Sequence, residues 1–237
     1  MGILQDQIKN LIGDKENITI FEVGCADGVD TKKFLNTFGS NFKIYTFDPE
    51  PINIKYMTTL GSFDAWGGSN DVLIEDERHI FHPFALSNEN GVTTFNRSRN
   101  KTPNPEEGFL VGRYSGSIHE PLTMTYSEKY GSRWPGTVFE EKITVECKRL
   151  DTFCEENNIE HIDFIWMDTQ GAEREVLSGA KNMLPNIDYI YTEYYDEEMY
   201  KNCANLEEIQ SILSGFELVS YWRFNDSDGG DALFKRK

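Results

Sequence analysis

Glu22-Val-Gly-Cys-Ala-Asp-Gly28 sets two glycines four apart directly after a short apolar run. Glycines at a strand end let the backbone turn sharply and approach a ligand closely, and the helix that follows offers its first amides. Such a loop suits the adenosyl and carboxylate parts of a nucleotide-like cofactor; a tight strand–helix turn with no ligand uses the same residues. The G-x-x-x-G spacing differs from the G-x-G-x-x-G that packs against a dinucleotide pyrophosphate. Asp48 ends the next apolar run, twenty residues after Gly28. A carboxylate there can accept hydrogen bonds from both hydroxyls of a ribose, or else cap a helix that begins near Pro51.

Ile165-Trp-Met-Asp-Thr-Gln-Gly-Ala-Glu173 places Asp168 at a third such end. A carboxylate at that point can hold an ammonium group, take a proton from an acceptor, or ligate a divalent cation such as Mg²⁺ or Mn²⁺. Glu173 reads either with Asp168 or as a charge at a helix start. Glu193 closes Tyr191-Thr-Glu193 in the same manner. His119, after Ser115-Gly-Ser-Ile118, joins Asp168 and Glu193 as a candidate general base; its plainer reading is an exposed loop histidine. His79 and His82, three apart on an expected strand, face opposite sides and make a poor metal pair. His161 has no evident partner, and Cys25 reads as a small buried residue.

These residues need a sheet to carry them. Ile18–Val23, Lys43–Phe47, His79–Leu86, Phe164–Met167 and Ile187–Glu193 read as strands. Helical patterns cover residues 3–12, a segment opened by Asp30 or Thr31 as cap, Pro51 to about Leu60, 151–157, Glu173 to Leu184, and Leu206–Leu213. The alternation predicts an α/β, doubly wound, Rossmann-like and mostly parallel sheet. Phe216–Phe224 and Asp231–Lys235 are joined by Asn225-Asp-Ser-Asp-Gly-Gly230, too short for a crossover, so they should form an antiparallel hairpin. Val92–Phe95 and Ile143–Cys147 are β-like as well. Between them, residues 97–142 carry Tyr114, Tyr126, Tyr130, Trp134 and four arginines, Arg97, Arg99, Arg113 and Arg133. A loop this long inside a domain reads as a functional lid, its aromatic faces suited to sugar rings and its arginines to a phosphate or carboxylate.

The 237 residues suit one domain, 1–237, and 13% aromatics exclude a disordered chain. A net charge of −17 repels phosphates and argues against a nucleic-acid partner. Eleven acidic and two basic residues fall in 188–231, a solvated acidic face. Four cysteines without a C-x-x-C pair read as reduced thiols. No apolar run is long enough for a membrane span, and the first twenty residues lack a secretory signal's apolar core, so a cytoplasmic protein is expected.

Over about residues 18–235 the chain resembles the FkbM family of methyltransferases. Four stretches match in order: Phe21–Gly28, Tyr45–Pro51, Phe84-Ala-Leu-Ser-Asn-Glu-Asn-Gly91, and Leu150-Asp-Thr-Phe with Met167-Asp-Thr-Gln-Gly-Ala-Glu-Arg-Glu-Val-Leu-Ser-Gly-Ala180. Gly230-Asp-Ala-Leu-Phe234 is similar to the family's last strand. The resemblance implies a class I methyltransferase fold of seven strands. It implies S-adenosylmethionine held by Glu22, Gly24, Gly28, Asp48, Ala85, Leu86 and Asp168, and methyl transfer to a hydroxyl of a sugar, glycan or small natural product. The family usually has Glu where Asp48 stands, and often Lys for Trp166 and Glu for Gln170. In-line positioning of an acceptor supplies about 7–11 kcal/mol of such a barrier, and a general base about 10²–10⁴-fold. An NAD-type oxidoreductase and a non-catalytic cofactor-binding module are the competing readings; the missing middle glycine counts against the first.

Overall fold

The computed structural model describes residues 2–60, 74–100, 113–122, 137–224 and 229–237. β1 (Ile18–Val23) alternates its apolar side chains: Ile18 and Ile20 point to one side of a sheet, Phe21 and Val23 to the other. Both faces are covered, which is why the run is apolar throughout rather than half polar. On one side, α1 (Gln5–Ile12) and α2 (Val29–Thr37) bring Ile8, Ile12, Phe34 and Leu35 onto the sheet. On the other, Phe153, Val176 and Ile209 pack from three later helices.

β2 (Phe42–Phe47) and β3 (His79–His82) extend the sheet from β1, all parallel. Pro51–Lys55 forms α3, which runs on as a π-helical turn at Tyr56–Leu60. Three more strands form outside this set: β4 (Ala85–Ser87), β5 (Gly91–Asn100) and β6 (Thr137–Arg149). β7 (Ile162–Met167) and β8 (Ile187–Tyr195) continue the sheet on the other side of β1. The last two strands, β9 (Phe216–Arg223) and β10 (Gly229–Arg236), pair antiparallel as expected. β10 inserts between β8 and β9, giving the order β3-β2-β1-β7-β8-β10-β9. The doubly wound, seven-stranded expectation holds, with the reversed strand inside the sheet rather than at its edge.

Other expectations need correction. The run His79–Leu86 is two strands: the chain leaves the main sheet at His82, and β4 joins a second sheet of order β4-β6-β5. Its core pair is β5 with β6, antiparallel, so Val92–Phe95 and Ile143–Cys147 are partners. The ends of the 97–142 segment are strand, not loop. Tyr126, Tyr130, Arg133 and Trp134 lie outside the described residues, as does the side chain of Arg113. The helix after Asp168 spans only Glu173–Ser178 (α5 here, following α4 at Leu150–Glu156), and α6 is Leu206–Ile212. Neither Asp30 nor Thr31 caps α2; Gly28 does, at φ +82, and the Thr31 hydroxyl donates to Glu22 instead. All four cysteines are free thiols, and among the described residues no helix is long and apolar enough to cross a membrane.

Arg97 joins the two sheets. Its guanidinium donates to both carboxylate oxygens of Glu50, which is 2% exposed, and to Glu141 at 2.9 Å. Glu50 in turn caps α3 by accepting the Ile52 N–H at 3.1 Å. Arg97→Ala strands a buried carboxylate, so unfolding free energy should fall by about 3–5 kcal/mol in a denaturant titration. The Arg97→Ala, Glu50→Ala double variant should recover part of that loss; a single variant as stable as wild type would refute the strut.

Candidate active site

A cavity of about 350 Å³ opens at the carboxyl ends of β1, β2 and β7. That is the edge where α/β sheets bind ligands. Gly24 turns the chain out of β1 at φ +87, so tightly under β7 that a Cβ there would sit 1.8 Å from the Asp168 carbonyl oxygen. The turn is locked by the Asp168 N–H donating to the Val23 carbonyl and by Gly24 and Cys25 donating to Phe47. Glycine is thus required at 24 by chain meeting chain. At Gly28 an added Cβ meets the side chains of Met57 and Ile74, again not the cavity. Glu22, Gly24, Asp48, Ala85, Leu86 and Asp168 all line the cavity; Gly28 only shapes its loop.

Asp48 is not the cap of α3. One oxygen accepts the Ala26 N–H at 2.9 Å, the other the Glu50 N–H at 2.8 Å, and Asn53 donates to both. Those four hydrogen bonds fill the roughly four acceptor positions of the carboxylate, so a ribose hydroxyl finds a place where Asn53 turns away. Burial pushes Asp48 up to about 7, against the pull of those donors. Glu22 accepts the Thr31 hydroxyl at 2.6 Å and is pushed well above the carboxylate range by burial and then by Asp30. Asp168 is pushed up to about 7 by burial, against the amide of Gln170.

The lining therefore holds five carboxyl groups, Glu22, Asp27, Asp30, Asp48 and Asp168, against Lys33, which is 2.8 Å from Asp30. This acidic, acceptor-rich lining fits S-adenosylmethionine, which brings a sulfonium, an ammonium and ribose hydroxyls; a pyrophosphate would meet repulsion. Without a cation bound, Asp48 and Asp168 carry protons below about pH 7 and charge above it. From their ordinary 3.8 to about 7 the folded state keeps protons that the unfolded chain releases, so these two groups weaken folding as pH rises. A cationic ligand gains from the same change. The preference for S-adenosylmethionine over S-adenosylhomocysteine, which lacks the sulfonium charge, should widen from pH 6 to pH 7.5 in calorimetric titrations. A ratio independent of pH would contradict this charge assignment.

Asp168 reaches away from the loop into a second group of acids. Gln170 donates to Asp168 and, at 3.4 Å, faces Glu193, which also accepts the Tyr195 hydroxyl at 2.6 Å. Burial and then Asp168 push Glu193 well above the carboxylate range. Glu193 stands behind Asp168 rather than on the cavity wall. Glu173 is fully buried: one oxygen staples the turn by accepting from Thr169 N–H, Thr169 hydroxyl and Gly171 N–H, while Oε2 has no partner among the described residues.

The histidines separate from this chemistry. His119 does not line the cavity and is not an exposed loop residue. Its ring is 10% exposed, with Nδ1 2.7 Å from the Lys201 carbonyl and Nε2 2.9 Å from Glu175. Burial opposes its charge, yet the Glu175 carboxylate outweighs it and holds the pKa above the usual value. Burial lowers His79 and His82 to about 4; the first meets the Thr46 hydroxyl, the second packs on Phe153, on opposite sides as expected. His161 does have partners, Asp163 and Asp188, at the far edge of the sheet. Among the described residues that trio is the one group placed like metal ligands, and Lys15 and Arg236 already pair with its carboxylates. Asp168 finds no such set, so the geometry gives a divalent cation no support there.

The far wall comes from residues 113–118, held by a backbone bridge between Asn96 and Ser117. Tyr114 donates to Asp27 at 3.0 Å, and Gly116 and Ile118 complete the wall. Sequence reasoning missed Asn53, Phe95, Gly116 and Ile118 as site residues; only Tyr114, as an aromatic in the long segment, carried a signal.

Comparison with known proteins agrees with this geometry. Residues 22–220 match the profile of the Methyltransferase FkbM domain. Over 230 residues the chain is 33% identical to the 2-O-methyltransferase NoeI of Sinorhizobium fredii, covering 97% of this chain and 83% of that one. It superposes on the crystal structure of Methyltransferase FkbM from Methylobacillus flagellatus KT with a TM-score of 0.50 and 10% identity. That match covers 98% of this chain but 48% of the solved one, so the chain spans about half its length and the likeness concerns the fold alone.

Proposed function

The chain belongs to the FkbM family of S-adenosylmethionine-dependent methyltransferases, and on that premise we propose that it methylates a hydroxyl oxygen of a sugar, glycan or small natural product. The observation that carries this reading is the carboxylate-rich cavity with Asp168 on its wall. The relative's 2-O-methyltransferase name supports oxygen as the acceptor atom. When bound, S-adenosylmethionine supplies an electrophilic methyl group. Glu22 and Asp48 would hold the adenosine end, Ala85 and Leu86 its apolar surface, and Gly24 and Gly28 shape the loop beneath it.

Asp168 serves as general base, its burial keeping the carboxyl close to neutrality where proton transfer is most effective. Glu193 acts behind it, and His119 acts through the wall it clamps. Of residues 97–142, read from the sequence as an acceptor lid, the described part contributes Tyr114, Gly116 and Ile118 to the cavity. Arg97 is engaged by Glu50 and Glu141, so it does not serve an anionic acceptor. An uncharged acceptor fits this lining better than a phosphorylated one.

The test is transfer of labelled methyl from S-adenosylmethionine across a panel of neutral glycans and small alcohols. The label should enter an ether, stable to mild alkali. Transfer only to a carboxylate, seen as alkali-labile label, or only to nitrogen would overturn the reading.

A further inference from the structure

Gln170 sits at φ +54, a left-handed backbone that a glutamine seldom adopts, between Asp168 and Gly171. Its side chain borders the cavity, and its amide faces three partners. Nε2 donates to Asp168 and lies 3.4 Å from Glu193; Oε1 accepts from the Tyr200 hydroxyl at 3.0 Å. The ionised Asp168 that a base requires only accepts, so the amide nitrogen faces it and the amide oxygen takes the Tyr200 phenol. The Tyr200 hydroxyl is also 3.0 Å from the Ser115 carbonyl, in the wall that carries Tyr114 and Gly116. One side chain thus ties the strand ends of β7 and β8 to the wall opposite the glycine loop.

We propose that Gln170 is a positioning residue for methyl transfer: its amide aims the Asp168 carboxylate into the cavity, braces it against Glu193, and links it through Tyr200 to the acceptor wall. The proposal rests on Asp168 being the base. Glutamine meets a demand that neither neighbour type satisfies as readily. An asparagine would be too short to span these partners, and the glutamate often found here in the family would have to keep a proton to make the same contacts.

The titratable groups that face Asp168 are the carboxyls of Asp30, Glu173, Glu193 and Asp231 and the phenols of Tyr191, Tyr195 and Tyr200. All of these are acids, and the one cation among the described lining residues, Lys33, is paired with Asp30, so with the amide donor removed these acids act against the ionised form of Asp168.

The test compares Gln170→Asn and Gln170→Glu with wild type, using S-adenosylmethionine and whichever neutral acceptor supports turnover. Asparagine tolerates the left-handed backbone, so Gln170→Asn should still fold, with a melting temperature lowered only by the lost hydrogen bonds. Its kcat should nevertheless fall by about 10–100-fold, the range for loss of a group that orients a reacting one. In both variants the acid limb of the kcat/KM profile should move to higher pH, most in Gln170→Glu, with S-adenosylhomocysteine affinity within about threefold of wild type. A limb that superimposes on wild type in a folded variant, while Asp168→Asn is inactive, would overturn this inference and leave the base assignment standing. An active Asp168→Asn enzyme would overturn both.

Discussion

Asp168→Asn should lower methyl-transfer turnover by about 10²–10⁴-fold while leaving the protein folded. The argument is positional. β7 lies at the centre of the sheet, and Asp168 follows its last residue at the edge where the cavity opens. The asparagine keeps the shape and the contact with Gln170 but has no proton-accepting carboxylate. His119→Ala makes the informative comparison. Since the ring clamps residue 119 between Glu175 and Lys201, its loss should loosen the wall and raise the acceptor KM more than it lowers kcat. Steady-state kinetics on both variants decide the matter. Wild-type turnover in Asp168→Asn with an inactive His119→Ala would move the base to the histidine.

Gly24→Ala should abolish folding rather than binding alone. A methyl at that position would lie 1.8 Å from the Asp168 carbonyl oxygen, and φ is +87. The clash is with backbone held by the β1–β7 ladder, so relief requires parting the two central strands. Gly28→Ala differs: its nearest neighbours are the ends of Met57 and Ile74, which can shift. Its cost should be near the roughly 1–2 kcal/mol of a left-handed alanine. Soluble yield and circular dichroism separate the two; a well-folded Gly24→Ala protein would contradict the close approach. The sequence suggests glycines that admit a ligand, with bulky variants folded but unable to bind. The structure places Gly24 on the cavity wall beside Cys25, Ala26 and Asp27, but the demand for glycine there comes from strand packing.

What could be read from the residues alone follows a physical line. β1, β2, β7 and β8 are apolar runs ended by glycine or acid, and local chemistry suffices to place them. The β9–β10 hairpin is also local, fixed by a short polar link. Pairing of Gly91–Asn100 with Thr137–Arg149 spans dozens of residues, and no nearby residue encodes it. The break at His82 is marked by Pro83, but nothing local tells that Ala85–Ser87 then joins a second sheet. Within the site, Glu22, Asp48 and Asp168 were legible because strand ends converge in this fold class. His119 was not: nothing in its neighbours Ile118 and Glu120 signals that its ring meets Glu175 and Lys201, which come from remote segments. Gln170 lay in a recognised motif, yet its three-way contact depends on Tyr200, thirty residues on.

The account stands on the carboxylate cavity being the cofactor site, and a calorimetric titration of wild-type and Asp48→Ala protein with S-adenosylmethionine and with NADH tests that most directly. Asp48 is buried and charge-bearing, and losing a hydrogen bond to such a group costs about 1.5–3 kcal/mol, or about 10–150-fold in affinity. The account predicts saturable binding of S-adenosylmethionine, weakened by that factor in Asp48→Ala, and no saturable heat from NADH. Saturable NADH binding, or equal S-adenosylmethionine affinity in the two proteins, would contradict it.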